Sequence, residues 1–208
     1  MTSARKFYRR PDARPDEILD AALTLFLEDG FQGTRVSDIA ARAGISKGAV
    51  YLYFPSKEAL LLAIVRRRIE PVIDRILVIM TEARGDPRPT LQEIVRVMVE
   101  DLYGDDSVRV PLLLMREAPM SPKVSEIYHD QIVTRAIPAL RELLRRGMEQ
   151  GYIRKVDPQL TINSIVGPLL MHFTMGSFLK LPMENGGIEA LLENHLTILM
   201  AGLAPEAR

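Results

Sequence analysis

Apolar residues along this chain recur at three- and four-residue spacing, and strict apolar–polar alternation never holds for long. That pattern predicts helices and almost no strands. The first helix should start near Pro15, with Asp16 and Glu17 in its first turn, where carboxylates suit the positive helix end. Its apolar face is Ile18, Ala21, Ala22, Leu25 and Phe26, and Gly30 ends it as a glycine cap. A short second helix is expected over about 37–43, with Val36, Ile39, Ala40 and Ala43 inward, broken by Gly44. Ser46 is placed to cap a third helix over about 47–54. Pro55 stops it, because the residue before proline is pushed out of helical geometry. Ser56 caps a fourth helix, which begins KEALLLAIV. Beyond about residue 60, helices at roughly 90–102, 108–118, 122–150, 158–181 and 187–203 read as a second, larger domain, with Asp157-Pro158 as a cap and first position. Pro71, Pro138 and Pro168 fall inside helical patterns, and each should kink or interrupt its helix. The expected fold class is all-α: a basic arm over 1–14, a three-helix domain over 15–60 and a larger helical domain over 61–208, about nine helices in all.

Composition narrows the function classes. The 208 residues hold 27 Lys+Arg and 27 Asp+Glu, so no global charge drives binding to nucleic acid or membrane. The charge is local instead. Residues 1–14 carry Arg5, Lys6, Arg9, Arg10 and Arg14 against Asp12 alone, and residues 31–57 carry Arg35, Arg42, Lys47 and Lys57 against Asp38 alone. A short charge run is ordinarily a solvated face, but two basic segments flanking one acidic helix point to an anionic partner. The absence of Cys excludes disulfides, thiolate metal sites and Cys nucleophiles. No apolar run reaches the ~18–20 residues that span a bilayer, and the N-terminal residues lack an apolar core for export, so a cytoplasmic location is expected.

The segment that carries chemistry is TRVSDIAARAGISKGAVYLYFPSK, residues 34–57. Two short helices joined at Ala43-Gly44-Ile45 make a helix-turn-helix, with Ile39, Ile45, Val50 and Phe54 holding the angle. Lys47, Gly48, Ala49, Tyr51 and Tyr53 then point outward, where such a helix meets a major groove. Ser46 and its neighbours offer free N–H groups to a phosphate, and Lys47 can pair with a phosphate or with guanine acceptors. Gly48 and Ala49 let the helix approach base edges, and Ala49 could touch a thymine methyl. Tyr51 and Tyr53 carry hydroxyl donors on rigid rings. Thr34 and Lys57 lie at helix starts on the same side and read as phosphate clamps, which position without reading sequence. The bland alternative is a structural three-helix cluster with a solvated basic face.

The stretch from about Ile18 to Leu61 resembles the N-terminal domain of the tetracycline-repressor (TetR) family of bacterial transcriptional regulators. The resemblance rests on Ile18, Ala21, Ala22, Leu25, Phe26, Gly30, Phe31, Gly33, Thr34, Val36, Ile39, Ala40, Ala43, Gly44, Ser46, Lys47, Gly48, Tyr51, Tyr53, Phe54, Lys57, Glu58 and Leu60. It implies a homodimer that binds a palindromic operator in double-stranded DNA, needs no cofactor and responds to a small-molecule effector held in the C-terminal domain. Family dimers join through their last two helices. Arg35 and Tyr53 stand at positions that vary in the family, so the operator sequence stays open. Two recognition helices in a two-fold dimer would meet half-sites about one turn, ~34–36 Å, apart.

In the second domain, all nine methionines other than Met1 lie at or beyond residue 80. Such flexible side chains suit either an adaptable apolar pocket or plain core filling. GPLLMHFTMGSFLKL, 167–181, is apolar nearly all round and should be buried on several sides, with His172 either a core histidine or a polar handle on a ligand. By family analogy the effector residues are Met98, Leu102, Met115, His172 and Phe173. The last helix carries the stripe Ile188, Leu191, Leu192, Leu196, Leu199 and Met200, which suits either a bundle with a second copy or burial in its own domain.

Two competing classes are weaker. An enzyme lacks support, because His129, His172 and His195 share no metal spacing, no phosphate-binding or nucleophile motif is present, and Asp105-Asp106 reads as a helix cap. A helical adaptor on a membrane surface is disfavoured, because the basic arm lacks the apolar face an interfacial helix needs.

Overall fold

Carboxylates in the opening turn and an apolar stripe behind them produce α1, Arg14–Gly33, with Asp16 and Glu17 in its first turn. The computed structural model describes residues 14–103, 122–177 and 187–205, together with Leu113 and Glu117. Gly30 sits at φ 78° and ψ 158°, so regular α1 breaks there and a last turn follows at an angle. That bend brings Phe31 back on Phe26, edge to face, with ring centroids 5.2 Å apart. α2, Val36–Arg42, and α3, Lys47–Tyr53, follow. Between them the chain makes a Schellman closure: the Ile45 N–H donates to the Ala40 carbonyl at 3.0 Å and the Gly44 N–H to Ala41 at 3.1 Å. Gly44 supplies the positive φ, 65°, that this closure needs.

α4 spans Lys57–Glu82. It starts from Ser56, whose hydroxyl oxygen accepts from the Ala59 N–H at 3.1 Å. Pro71 does not interrupt it. Pro71 itself is exposed. α5 runs Arg88–Tyr103 and α6 Pro122–Tyr128; a π-helical stretch, His129–Ala136, then leads into α7, Ile137–Glu149. Pro138 therefore stands in the first turn of α7, directly after the π-helical stretch. α8 is Pro158–Ser177, capped by Asp157, whose carboxylate accepts from Leu160 N–H at 2.8 Å. It runs through Pro168 without interruption. α9 is Gly187–Leu203. Among the described residues there is no strand.

The chain divides into two compact units, residues 1–64 and 65–208. The first buries Ile18, Ala22, Phe26, Ile39, Val50, Leu60, Leu61 and Ile64 in its core. In the second, Leu91, Ile94 and Val95 of α5, Leu143 and Leu144 of α7, Ile165 and Leu169 of α8 and Leu196 of α9 form one apolar cluster. Gly147 of α7 is part of that packing, since a Cβ there would lie 2.6 Å from Pro87 Cγ and 2.8 Å from Ile153 Cδ1. His195 is buried, with Nε2 3.0 Å from the Ile165 carbonyl.

The stripe read on the last helix belongs to this core. Leu192, Leu196 and Leu199 are buried in it, and Ile188, Leu191 and Met200 pack against it. This corrects the expectation that the stripe supports a bundle with a second copy: its own domain covers it. Its outward neighbours are Ala190, Asn194, Ile198 and Ala201, all exposed. The apolar C-terminal half of α8 is likewise not buried all round, because Met171 and Met175 are exposed. The basic arm (Arg5, Lys6, Arg9 and Arg10), Asp105-Asp106 and most of the helix expected over 108–118 lie outside the described residues; Leu113 and Glu117 within it are helical and buried.

Candidate nucleic-acid interface

α3 is held by one anchor. Val50 is its buried residue, and the Ser46 hydroxyl oxygen caps it by accepting from the Ala49 N–H at 3.1 Å. Everything else on the helix faces outward or sideways. Lys47 and Gly48 are exposed, Ala49 is half-buried, and Tyr51 and Tyr53 are 43% and 40% exposed. Leu52, absent from the outward set expected for this helix, is 84% exposed, the highest value for a large apolar side chain among the described residues. The signal was available in the helical period, because Leu52 falls opposite Val50.

The Lys47 ammonium lies 5.9 Å from the centroid of the Tyr51 ring, one turn on, so a cation and a phenol share one side of the helix. A Cβ built on Gly48 would meet nothing nearer than Ser46 Oγ at 3.9 Å, which leaves an unobstructed approach to the helix backbone. Arg35 is exposed just before α2, and its backbone N–H is closed by the Asp38 carboxylate at 3.3 Å. Arg42 is paired with Glu28 at 3.0 Å on the α1 side.

Thr34 and Lys57 do something other than what their positions suggested. Thr34 is 2% exposed, and its hydroxyl lies 2.8 Å from the Gly30 carbonyl and 3.1 Å from that of Leu25. It fastens the α1 terminus rather than reaching outward. The Lys57 ammonium donates to the carbonyls of Phe31 at 2.6 Å, Thr34 at 3.0 Å and Gln32 at 3.4 Å, and sits 4.5 Å over the Phe31 ring. A lysine has three N–H donors, and here all three meet the link between α1 and α2. One physical reason underlies both placements: the bend at Gly30 turns carbonyls outward that need donors, and these two side chains stand within reach.

The five effector candidates do not assemble into a described site. Met98 is half-buried against the core of the second unit, and His172 is half-buried on α8, where desolvation holds its imidazole below the usual histidine range. Met115 and the side chains of Leu102 and Phe173 lie outside the described residues. The described residues show two open clefts instead. One, of about 310 Å³, lies between α4 and α5 beside Arg75, Glu100 and Asp101, and burial pushes the Asp101 carboxyl up against the pull of Arg68 and Arg75. The other, of about 80 Å³, lies beside Arg84, Pro87 and Arg146. Neither is lined by a predicted effector residue. Of the remaining methionines described, Met80 is buried and Met148 and Met200 pack on the core. No group of metal-ligating side chains occurs among the described residues, and no single helix there is long and apolar enough to cross a membrane.

Comparison with known proteins accounts for both units. Residues 18–64 match the family described as "Bacterial regulatory proteins, tetR family", and residues 81–184 match "Tetracyclin repressor-like, C-terminal domain". The HTH-type transcriptional regulator RutR of Escherichia coli (strain K12) is 39% identical over 155 residues, 73% of this chain and 69% of that protein. The uncharacterized HTH-type transcriptional regulator YuxN of Bacillus subtilis (strain 168) is 43% identical over 86 residues, 41% of this chain, and the match spans 29% of its own length. Among solved structures, the fatty acid degradation regulator FadR from Bacillus halodurans superposes with a TM-score of 0.72 at 26% identity, over 95% of this chain and all of that one. With a capped, outward-facing second helix in its helix-turn-helix and matches over both units, this chain belongs to the tetR family of bacterial transcriptional regulators.

Proposed function

We propose that the chain is a homodimeric repressor, and not an enzyme, which binds a palindromic operator through α3 and releases it when a small apolar effector occupies the second unit. One observation carries the reading: α3 is fixed from behind by Val50 and Ser46 while Lys47, Tyr51 and Tyr53 face outward. Lys47 and Arg35 supply positive charge to phosphates or guanine edges, the two phenols supply donors, and Gly48 and Ala49 keep the helix close to the bases. A cytoplasmic location, alongside the DNA, goes with this reading.

The proposed dimer uses the last two helices, through the faces their own core leaves uncovered. On α8 these carry Leu160, Met171 and Met175, and on α9 Ile198 among small residues. A two-fold pairing of such faces is a four-helix bundle. The effector residues remain Met98, Leu102, Met115, His172 and Phe173. Effector binding shifts a population between operator-competent and incompetent spacings, by no more than its differential affinity for the two. α4 starts in the first unit and ends in the second, and so is the covalent link for that shift.

The test is a salt titration of binding to a palindromic duplex, with sedimentation of the free protein alongside. A steep salt slope, tight specific over non-specific binding and a dimeric mass support the reading. Binding with no sequence preference, or a monomer that binds a single half-site, would overturn it. Mass spectrometry of the purified protein for a retained apolar molecule tests the effector.

A further inference from the structure

The outermost residue of α3 is not one of its polar ones. On a helix with 3.6 residues per turn, Leu52 lies about 200° and Gly48 about 160° around the axis from Val50, so the two form the ridge opposite the anchor. Gly48 has no side chain, and a Cβ there would find open space apart from Ser46 Oγ at 3.9 Å. The result is an apolar ledge, 84% exposed at Leu52, flanked by Lys47 and Tyr51 on one side and Tyr53 on the other. No described residue of the first unit covers it, so their packing does not account for a leucine there.

A major groove presents polar acceptors and donors at every base pair, and one apolar group, the C5-methyl of thymine. A leucine set against a polar edge would leave that edge without a hydrogen-bond partner, at a cost. Set against the methyl, it buries apolar surface on both sides. We infer that Leu52 packs on a thymine methyl in each operator half-site and so determines the base preferred there. This rests on the reading of α3 as the element that enters the major groove. The sequence pattern had offered Ala49 for a methyl contact, but Ala49 is half-buried and shorter, and Leu52 projects beyond it.

The experiment begins with a duplex selected by the full-length protein from a random double-stranded library. Each thymine of that duplex is then replaced by deoxyuridine, which removes the methyl and leaves every hydrogen-bonding group in place. Affinities are measured by fluorescence anisotropy for the wild type and for Leu52→Ala. One methyl is worth roughly a three- to fivefold change in affinity. The expected result is one thymine per half-site where deoxyuridine weakens the wild type by about that factor, and by tenfold or more when both half-sites are changed. Leu52→Ala should bind the two duplexes within twofold of each other, with unchanged circular dichroism. A wild type insensitive to every deoxyuridine overturns the inference without any variant, and so does a Leu52→Ala protein that keeps the full methyl sensitivity. If no duplex is enriched at all, the DNA-binding reading of α3 falls and takes this inference with it; an enriched duplex with a flat deoxyuridine series removes Leu52 alone.

Discussion

Lys57 separates two accounts of the same basic residue, and Lys57→Met decides between them. The substitution keeps an unbranched apolar stem over the Phe31 ring and deletes the ammonium. In the folded protein that ammonium serves the carbonyls of Phe31, Thr34 and Gln32, the first two in partly buried settings. Hydrogen bonds to a charged group are worth about 1.5–3 kcal/mol when well buried, and water can partly replace these, so about 1 kcal/mol for each of the two shorter ones is reasonable. The cation over Phe31 at 4.5 Å adds about 0.5–1 kcal/mol. The expected loss is therefore about 2–3 kcal/mol, localised in the first unit. Urea unfolding followed by circular dichroism gives the loss, and native-state amide exchange over residues 31–40 gives its location. Operator binding should keep the slope of log K against log salt of the wild type, because no phosphate contact is removed. A phosphate clamp predicts the opposite pair of results: unchanged stability and a slope lower by about 0.9. That outcome would refute the carbonyl-capping role.

Further outcomes follow from the same geometry. Gly147→Ala should destabilise by about 1–3 kcal/mol through overpacking against Pro87 and Ile153, although helix propensity alone predicts a gain of about 1 kcal/mol; a higher melting temperature would show that the contact yields. Because desolvation depresses the His172 pKa in the folded protein, the unfolded chain binds its proton first as pH falls. Stability should be full at neutral pH and decline as pH drops below the ordinary histidine value of about 6.5, a slope that His172→Gln should flatten in melting scans between pH 7.5 and 5. Ile198→Glu should shift the sedimenting species from dimer to monomer with helix content retained, and a persistent dimer would move the interface off α9. Tyr51→Ala should weaken operator binding at least tenfold in gel shift while leaving the dimer intact, and Lys47→Ala should lower the salt slope by about 0.9; a dimer lost with Tyr51 would make it a packing residue.

What the sequence determined by itself is what closes within one or two helical turns. Ser46, Ser56 and Asp157 each accept from the N–H three residues on, and a reader of the chain can place all three because donor and acceptor are neighbours. Gly30 and Gly44 break their helices at positive φ for the same local reason. The helix-turn-helix pattern and its resemblance lie within about 45 contiguous residues, and the matched family there confirms them. Tertiary structure decided the rest. The acceptors that engage Lys57 lie 23 to 26 residues away, and one of those that engage Thr34 lies nine away, so no spacing rule could tell an inward lysine from an outward one. Leu52 stood in neither the inward nor the outward set, and the packing of Val50 shows that it lies on the free side of α3. The stripe on α9 announced a buried face without saying whose, and the fold assigned it to its own domain and left Ile198 outside. An amphipathic pattern records how much apolar surface must leave water; which surface it meets depends on where the other helices come to rest.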